Sequence, residues 1–217
     1  MTNENDEDVY LKYPRHRKWF NKLYVAELFG YKCGPAGVDI PEDGTYVVRP
    51  VYNLSGMGVG AEVKDLLAGD FHTVQPGYFW CEYLTGNHYS VDYTFKVNHK
   101  TGGEWVQTSC YQGFNTRHNL TQFIEWKKSS YIPQLPQDTL KHLSDVQDIN
   151  VEFIGNSIIE IHLRPSSDPL YDHLIPVWAS DLGVKKQYKE SHGFEFIESH
   201  DDADGLLDDP RIGFLVK

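Results

Sequence analysis

The chain has 217 residues and a net charge of −11, with 40% hydrophobic, 24% charged and 14% aromatic residues. That length suits one large domain or two small lobes around an ample core, and the acidic balance argues against a general nucleic-acid or anionic-membrane surface. Cys33, Cys81 and Cys110 are scattered without CxxC spacing, which argues against a disulfide framework or a structural zinc site and for a reducing compartment.

No apolar run approaches the ~18 residues of a membrane span, and the acidic start is no signal peptide, so a cytoplasmic protein without membrane or nucleic-acid partners is expected. Residues 1–8, MTNENDED, read as a disordered acidic tail, leaving 9–217 as a single domain. From Arg17 to Phe29 apolar residues recur every three to four positions, predicting an amphipathic helix that Gly30 stops. A basic cluster, Arg15-His16-Arg17-Lys18, sits at its start. Residues 31–44 read as a connector. Strands are predicted at Thr45–Arg49, Phe79–Leu84, Tyr89–Val97 and Glu104–Ser109, with a turn at Lys100–Gly103. Residues 110–136 lack pattern. A helix is predicted from Pro136 to about Val146, a short apolar stretch at Leu174–Leu182, and late strands at Phe194–Glu198 and Ile212–Val216.

Residues 149–165, INVEFIGNSIIEIHLRP, carry the densest chemistry. Two β-branched runs flank Gly155-Asn156, which predicts a β-hairpin. Strand alternation puts Glu160, His162 and Arg164 on one face and Ile159, Ile161 and Leu163 on the other. A two-residue loop would turn Glu152 away from Glu160, whereas a three-residue loop, Gly155–Ser157, sets them opposite each other. The three-residue loop is the expectation, because facing carboxylates make sense around a cation. Upstream, VVRPVYNLSGMGVG places Arg49 at a strand end before a loop with glycines at 56, 58 and 60, where backbone N–H groups and a cation can meet phosphate oxygens. It is neither a Walker A loop nor a dinucleotide fingerprint.

Taken in order, the basic helix start, VVRP with its glycine-rich loop, EYLTGNHYSVD and VEFI…IIEIHLRP resemble the ATP-grasp superfamily over roughly Arg17 to Pro165. The resemblance implies an α+β, ATP-grasp fold in which two α+β lobes with largely antiparallel sheets enclose the nucleotide. The small lobe would span about 36–83, and the large lobe about 84–217 together with helix 17–29. It implies an ADP-forming ligase that activates a carboxylate as an acyl phosphate for attack by an amine or other nucleophile. By position, Arg49 and Lys18 (alternatively Lys22) would bind phosphates, Gly56 and Gly58 would belong to the loop over them, and Glu82, Tyr83 and Leu84 would form the adenine hinge. His88 would contact the ribose. Glu152, Glu160 and His162 would hold Mg²⁺ or Mn²⁺, and Arg164 would grip the reacting phosphate or acceptor. Histidine in place of the usual asparagine at 162 shifts the expected metal toward Mn²⁺. The separate N-terminal domain common in the superfamily is missing from this pattern. The small-molecule or peptide carboxylate would therefore be bound by this module or with a partner chain. The alternative is a degenerate module that binds nucleotide or a partner without catalysis.

Overall fold

A computed structural model of the chain describes residues 4–98, 102–115, 120–181, 183, 192–199 and 204–217. Helix α1 (Asp6–Lys12) leads into a 3₁₀ helix (Pro14–Phe20) and α2 (Lys22–Leu28). Strands β1 (Cys33–Pro35), β2 (Gly44–Pro50), β3 (Glu62–Leu66) and β4 (Tyr78–Glu82) form an antiparallel sheet in the order β1-β4-β2-β3. Strands β5 (His88–Lys96), β6 (Glu104–Asn115) and β7 (Phe123–Lys128) follow, then a one-turn α3 (Gln137–Leu140), and then β8 (Asp148–Ile154) and β9 (Ser157–His162). With β10 (His173–Trp178), β11 (Glu195–Glu198) and β12 (Arg211–Val216) these build an eight-stranded antiparallel sheet, ordered β11-β12-β10-β7-β6-β5-β8-β9.

The main core covers one face of the large sheet. Val91, Ile149, Val151 and Phe153 are fully buried there with Val9, Trp19, Leu140 and Leu143. Each such side chain contributes about 1.5–3 kcal/mol by leaving water. The opposite face carries the polar residues of the same strands, so alternation along β5, β8 and β9 separates core from site.

Three expectations need correction. Residues 4–8 are not a disordered tail: Asn5 and Asp8 cap α1 reciprocally, and Asp6 is buried. Asp6 meets His162 and Arg164 inside the fold, which composition alone hides; residues 1–3 lie outside the described residues. The helix expected over 17–29 is two helices, because the Asn21 side chain accepts from Tyr24 N–H (2.9 Å) and starts α2 afresh. Third, the hairpin closes with a two-residue turn, since Ile154 pairs with Ser157. A β-bulge at Ile159 then restores the register, so Glu152 nevertheless sits opposite Glu160.

Strands β1, β3 and β7 were not legible in the sequence, and β6 runs on to Asn115 through a stretch that showed no pattern. The turn expected at Lys100–Gly103 and the acidic stretch Asp201–Asp209 fall partly outside the described residues. Among the described residues, no helix is long and apolar enough to cross a membrane, and the three cysteines are free.

Candidate functional site

The two sheets face each other across a cavity of about 560 Å³. β2 brings Arg49 and Pro50 to it, and the loop after β2 brings Gly56, Met57 and Gly58. The chain leaving β4 contributes Glu82, Tyr83 and Leu84, and the polar face of the large sheet contributes His88, Glu152, Glu160 and His162. Arg164, just beyond β9, completes the set. All the site residues expected from the sequence therefore line one cavity, except Lys18. Its ammonium lies over the rings of Trp19 and Tyr24, 5.6 and 5.2 Å from their centroids. The break at Asn21 turns the chain, and Lys22 is the lysine that enters the cavity; the nomination of Lys18 is corrected accordingly.

Glu160 is the hub. Its carboxylate pairs with Lys22 from α2 and with Arg49 Nη1 from β2 at 3.0 Å. The bulge at Ile159 serves the same contact, because Arg49 Nη2 donates to the Ile159 carbonyl at 3.0 Å. One arginine thus ties the small sheet to the edge of the large one. Its Nε is buried without a hydrogen-bond partner among the described residues, a donor that an anionic ligand would satisfy. Burial alone would raise the Glu160 carboxyl and the neighbouring Glu152 charge opposes ionisation, but Lys22, Arg49 and His162 together hold it below the usual range.

Glu152 accepts from His88 Nε2 at 3.2 Å, and the His88 ring meets Phe123 and Trp126 edge-on at 4.9 and 5.6 Å. Against the cost of burial, the His88 hydrogen bond and the charges of His88, His162 and Lys22 bring the Glu152 carboxyl from 4.5 down to about 2. A carboxyl depressed by folding stabilises the protein above its unfolded value and loses that contribution as pH falls through the folded one. The thermal midpoint is therefore expected to fall as pH drops from 4.5 toward 2, and Glu152→Gln should flatten that decline. Melting curves across this range check it, and an unchanged slope in the variant would contradict it.

His162 faces two carboxylates. Its Nδ1 lies 2.8 Å from Asp6 Oδ2 and its Nε2 3.5 Å from Glu160 Oε2. An ionised carboxylate can only accept, so Nδ1 carries a proton. Although burial opposes the charged form, Asp6 and Glu160 raise the imidazole above its ordinary value. In this structure both imidazole nitrogens face carboxylates, so His162 stands as the ion-pair partner of Asp6 and Glu160 rather than within a metal-ligand group. Among the described residues no group of three or more His, Cys, Asp or Glu side chains is arranged to hold a metal ion.

The glycine loop is folded onto its surroundings. Asn53 Nδ2 donates to the Gly56 carbonyl at 2.8 Å. Gly58 has a positive φ, and a Cβ there would lie 2.7 Å from the Leu120 carbonyl oxygen, so only glycine permits this approach to the large sheet's loop. Glu82 gives one carboxylate oxygen to the Lys32 backbone N–H at 2.7 Å, which directs it toward β1.

Several cavity residues went unread in the sequence. Asn150, opposite His162, donates to Ser90 Oγ and Asp92 Oδ1, both at 2.9 Å. Continuing the alternation back from Glu152 by two positions would have found it. At the far end, Ser166 N–H donates to Asp92 (2.8 Å), Asp168 pairs with Arg211 (3.2 Å), and Trp178 faces Arg211 across the β10–β12 register. Nothing local in the sequence joins 168 to 211.

No protein-family model and no curated protein matches the chain. Solved structures do. An N5-carboxyaminoimidazole synthetase from Staphylococcus aureus, complexed with ADP, is similar over 98% of this chain and 73% of its own, at 11% identity and a TM-score of 0.56. A second structure of an N5-carboxyaminoimidazole synthetase from Staphylococcus aureus is similar over 91% of this chain and 66% of its own, at 10% identity and a TM-score of 0.51. An ADP complex of an N5-carboxyaminoimidazole ribonucleotide synthetase is similar over 100% of this chain and 74% of its own, at 11% identity and a TM-score of 0.56. At these identities the likeness concerns the fold. Two antiparallel sheets closing on one charged cleft, matched over nearly the whole chain, establish that this protein has the ATP-grasp fold.

Proposed function

We propose that the cleft binds ATP and that the chain is an ADP-forming ligase that activates a carboxylate. One observation carries this reading: Lys22 from α2 and Arg49 from β2 converge on Glu160 of β9, and all three line the cavity. Two cations arriving from separate elements, one with a buried unpartnered N–H, suit a polyphosphate. The adenine would lie along Glu82–Leu84 with the ribose near His88, and the β- and γ-phosphates would reach Arg49, Lys22 and Arg164. The fold likeness to two ADP complexes supports nucleotide binding by this fold.

Glu152 and Glu160 fit a divalent cation, since they face each other across the β8–β9 register and both stay ionised. Two carboxylates and no third protein ligand suit Mg²⁺, which keeps waters and takes the rest of its shell from substrate phosphates. His162 is paired with Asp6 and faces Glu160 here, so the two carboxylates set the preference toward Mg²⁺. When bound, the metal would supply positive charge beside the β- and γ-phosphates.

In the reaction, an acceptor carboxylate oxygen attacks the γ-phosphorus. The bond from that phosphorus to the β–γ bridging oxygen breaks, and ADP leaves. An amine then attacks the acyl carbon, phosphate departs and the amine loses a proton. Arg49, Lys22 and Arg164 hold the transferring group in line and offset the charge that develops on it. The Asp168–Arg211–Trp178 end, beyond Arg164, is where the carboxylate acceptor would enter. A partner chain could supply further acceptor contacts.

A second reading, nucleotide binding without turnover, is favoured by the pairing of Glu160 with two protein cations. ADP release from ATP separates the two. The chain should release ADP when a panel of carboxylate–amine pairs is supplied with Mg²⁺, and less with Mn²⁺ in its place. Tight ATP binding without ADP release under either metal would favour the second reading.

A further inference from the structure

We propose that Asp6 is a positioning residue, through which helix α1 fixes His162 and Arg164 and so sets the grip of the cleft on the terminal phosphate of ATP. This deepens the nucleotide-binding reading and rests on it. Asp6 is 1% exposed and lies 156 residues from the histidine it meets. Oδ2 accepts from His162 Nδ1 at 2.8 Å, and Oδ1 lies 2.9 Å from Arg164 Nε. The Arg164 N–H is not aimed along that line, so the second contact is an ion pair rather than a hydrogen bond. His162 ends β9 and Arg164 lies two residues further on, and a single carboxylate meets both.

The helix is built to deliver that carboxylate. Seven residues are too few for a stable helix alone, and docking supplies what length does not. The Asn5–Asp8 capping box fixes the first turn, Val9 is fully buried, Tyr10 packs edge-on against Phe20 at 5.4 Å, and the Tyr10 carbonyl accepts from Arg17 Nε at 3.0 Å. Asp6 is the first residue of α1, where an acid is favoured by the helix dipole. Its carboxylate is buried against His162 and Arg164 instead of facing solvent. Arg164 also lines the cavity. Held by Asp6, its guanidinium has a fixed direction; released, a long side chain regains its rotamers.

Two ideas about Asp6 predict opposite signs. If it acted only as a negative charge near an anion site, removing it would tighten ATP. If it positions Arg164, removing it loosens ATP in particular.

The test is calorimetric titration of ATP and ADP, in Mg²⁺, into wild type, Asp6→Asn, Asp6→Glu and Val9→Ala. Asp6→Glu keeps the charge but moves the carboxylate by one methylene, so it carries the same expectation should Asp6→Asn not fold. Both Asp6 variants are expected to lose roughly tenfold of the ATP-over-ADP preference, the scale of one charge-assisted contact, with ADP affinity little changed. Val9→Ala loosens the same helix, and should lower the melting temperature without moving the preference. Asp6 variants that keep the preference, bind ATP more tightly, or lose ATP and ADP affinity equally would overturn the proposal, as would a wild type that does not distinguish ATP from ADP. A wild type that binds neither nucleotide would instead overturn the nucleotide-binding reading, and this inference with it.

Discussion

Arg49→Ala is expected to weaken ATP binding by roughly 10- to 150-fold while leaving adenosine nearly unaffected, the range that follows from losing charge-assisted phosphate contacts worth about 1.5–3 kcal/mol. Arg49 contacts Glu160 and the Ile159 carbonyl, with its guanidinium over the Phe79 ring at 5.4 Å. It is therefore both a phosphate candidate and a tie between the sheets. The comparison of ligands separates these roles. Loss of a phosphate contact falls on ATP alone, whereas loss of the tie opens the cleft and weakens both ligands. Parallel titrations of ATP and adenosine check it, and equal weakening would mean that Arg49 only shapes closure.

Glu160→Gln is expected to abolish turnover and to destabilise the fold by about 3 kcal/mol, which lowers the melting temperature of a chain this size by roughly 6–12 °C. A carboxylate on an exposed strand face would cost little to remove. Glu160 is different: its side chain is 16% exposed and faces Lys22 and Arg49, themselves 9% and 12% exposed. Neutralising it leaves two buried cations without their counter-ion. Thermal melts of wild type and variant, run beside ADP release, measure both effects. A variant that melts like wild type would mean that Lys22 and Arg49 find water or Glu152 instead, and that the hub is weaker than its geometry implies.

The hairpin shows how much of the site the sequence carried. Alternation alone puts Glu160, His162 and Arg164 on one face, and the register does place Glu152 opposite Glu160. The route differs: a two-residue turn with a bulge at Ile159 replaces the longer loop. Bulges leave no local signature in an apolar run such as Ser157–Leu163, so the sequence could not distinguish the two. The fold class and the cavity position of eleven of the nominated residues came from the resemblance of four short motifs to the ATP-grasp superfamily, and all eleven line the cavity. Lys18 failed because one side-chain cap, Asn21, restarts the helix and rotates every residue after it. The pairing of His162 was out of reach for a non-local reason, since its partner Asp6 sits in a segment that composition assigned to solvent. Arg211 and Asp168 were out of reach for the same reason: only the crossing of segment 163–172 over the sheet face brings them together.

A structure of the chain crystallised with ADP and Mg²⁺ tests the central claim most directly. The account predicts the adenine beside Glu82–Leu84 and the phosphates within hydrogen-bond distance of Arg49 and Lys22, with the metal between Glu152 and Glu160. Nucleotide bound outside this cleft, or a cleft in which Arg49 and Lys22 stay on Glu160 while no nucleotide enters at saturating ADP, would contradict it.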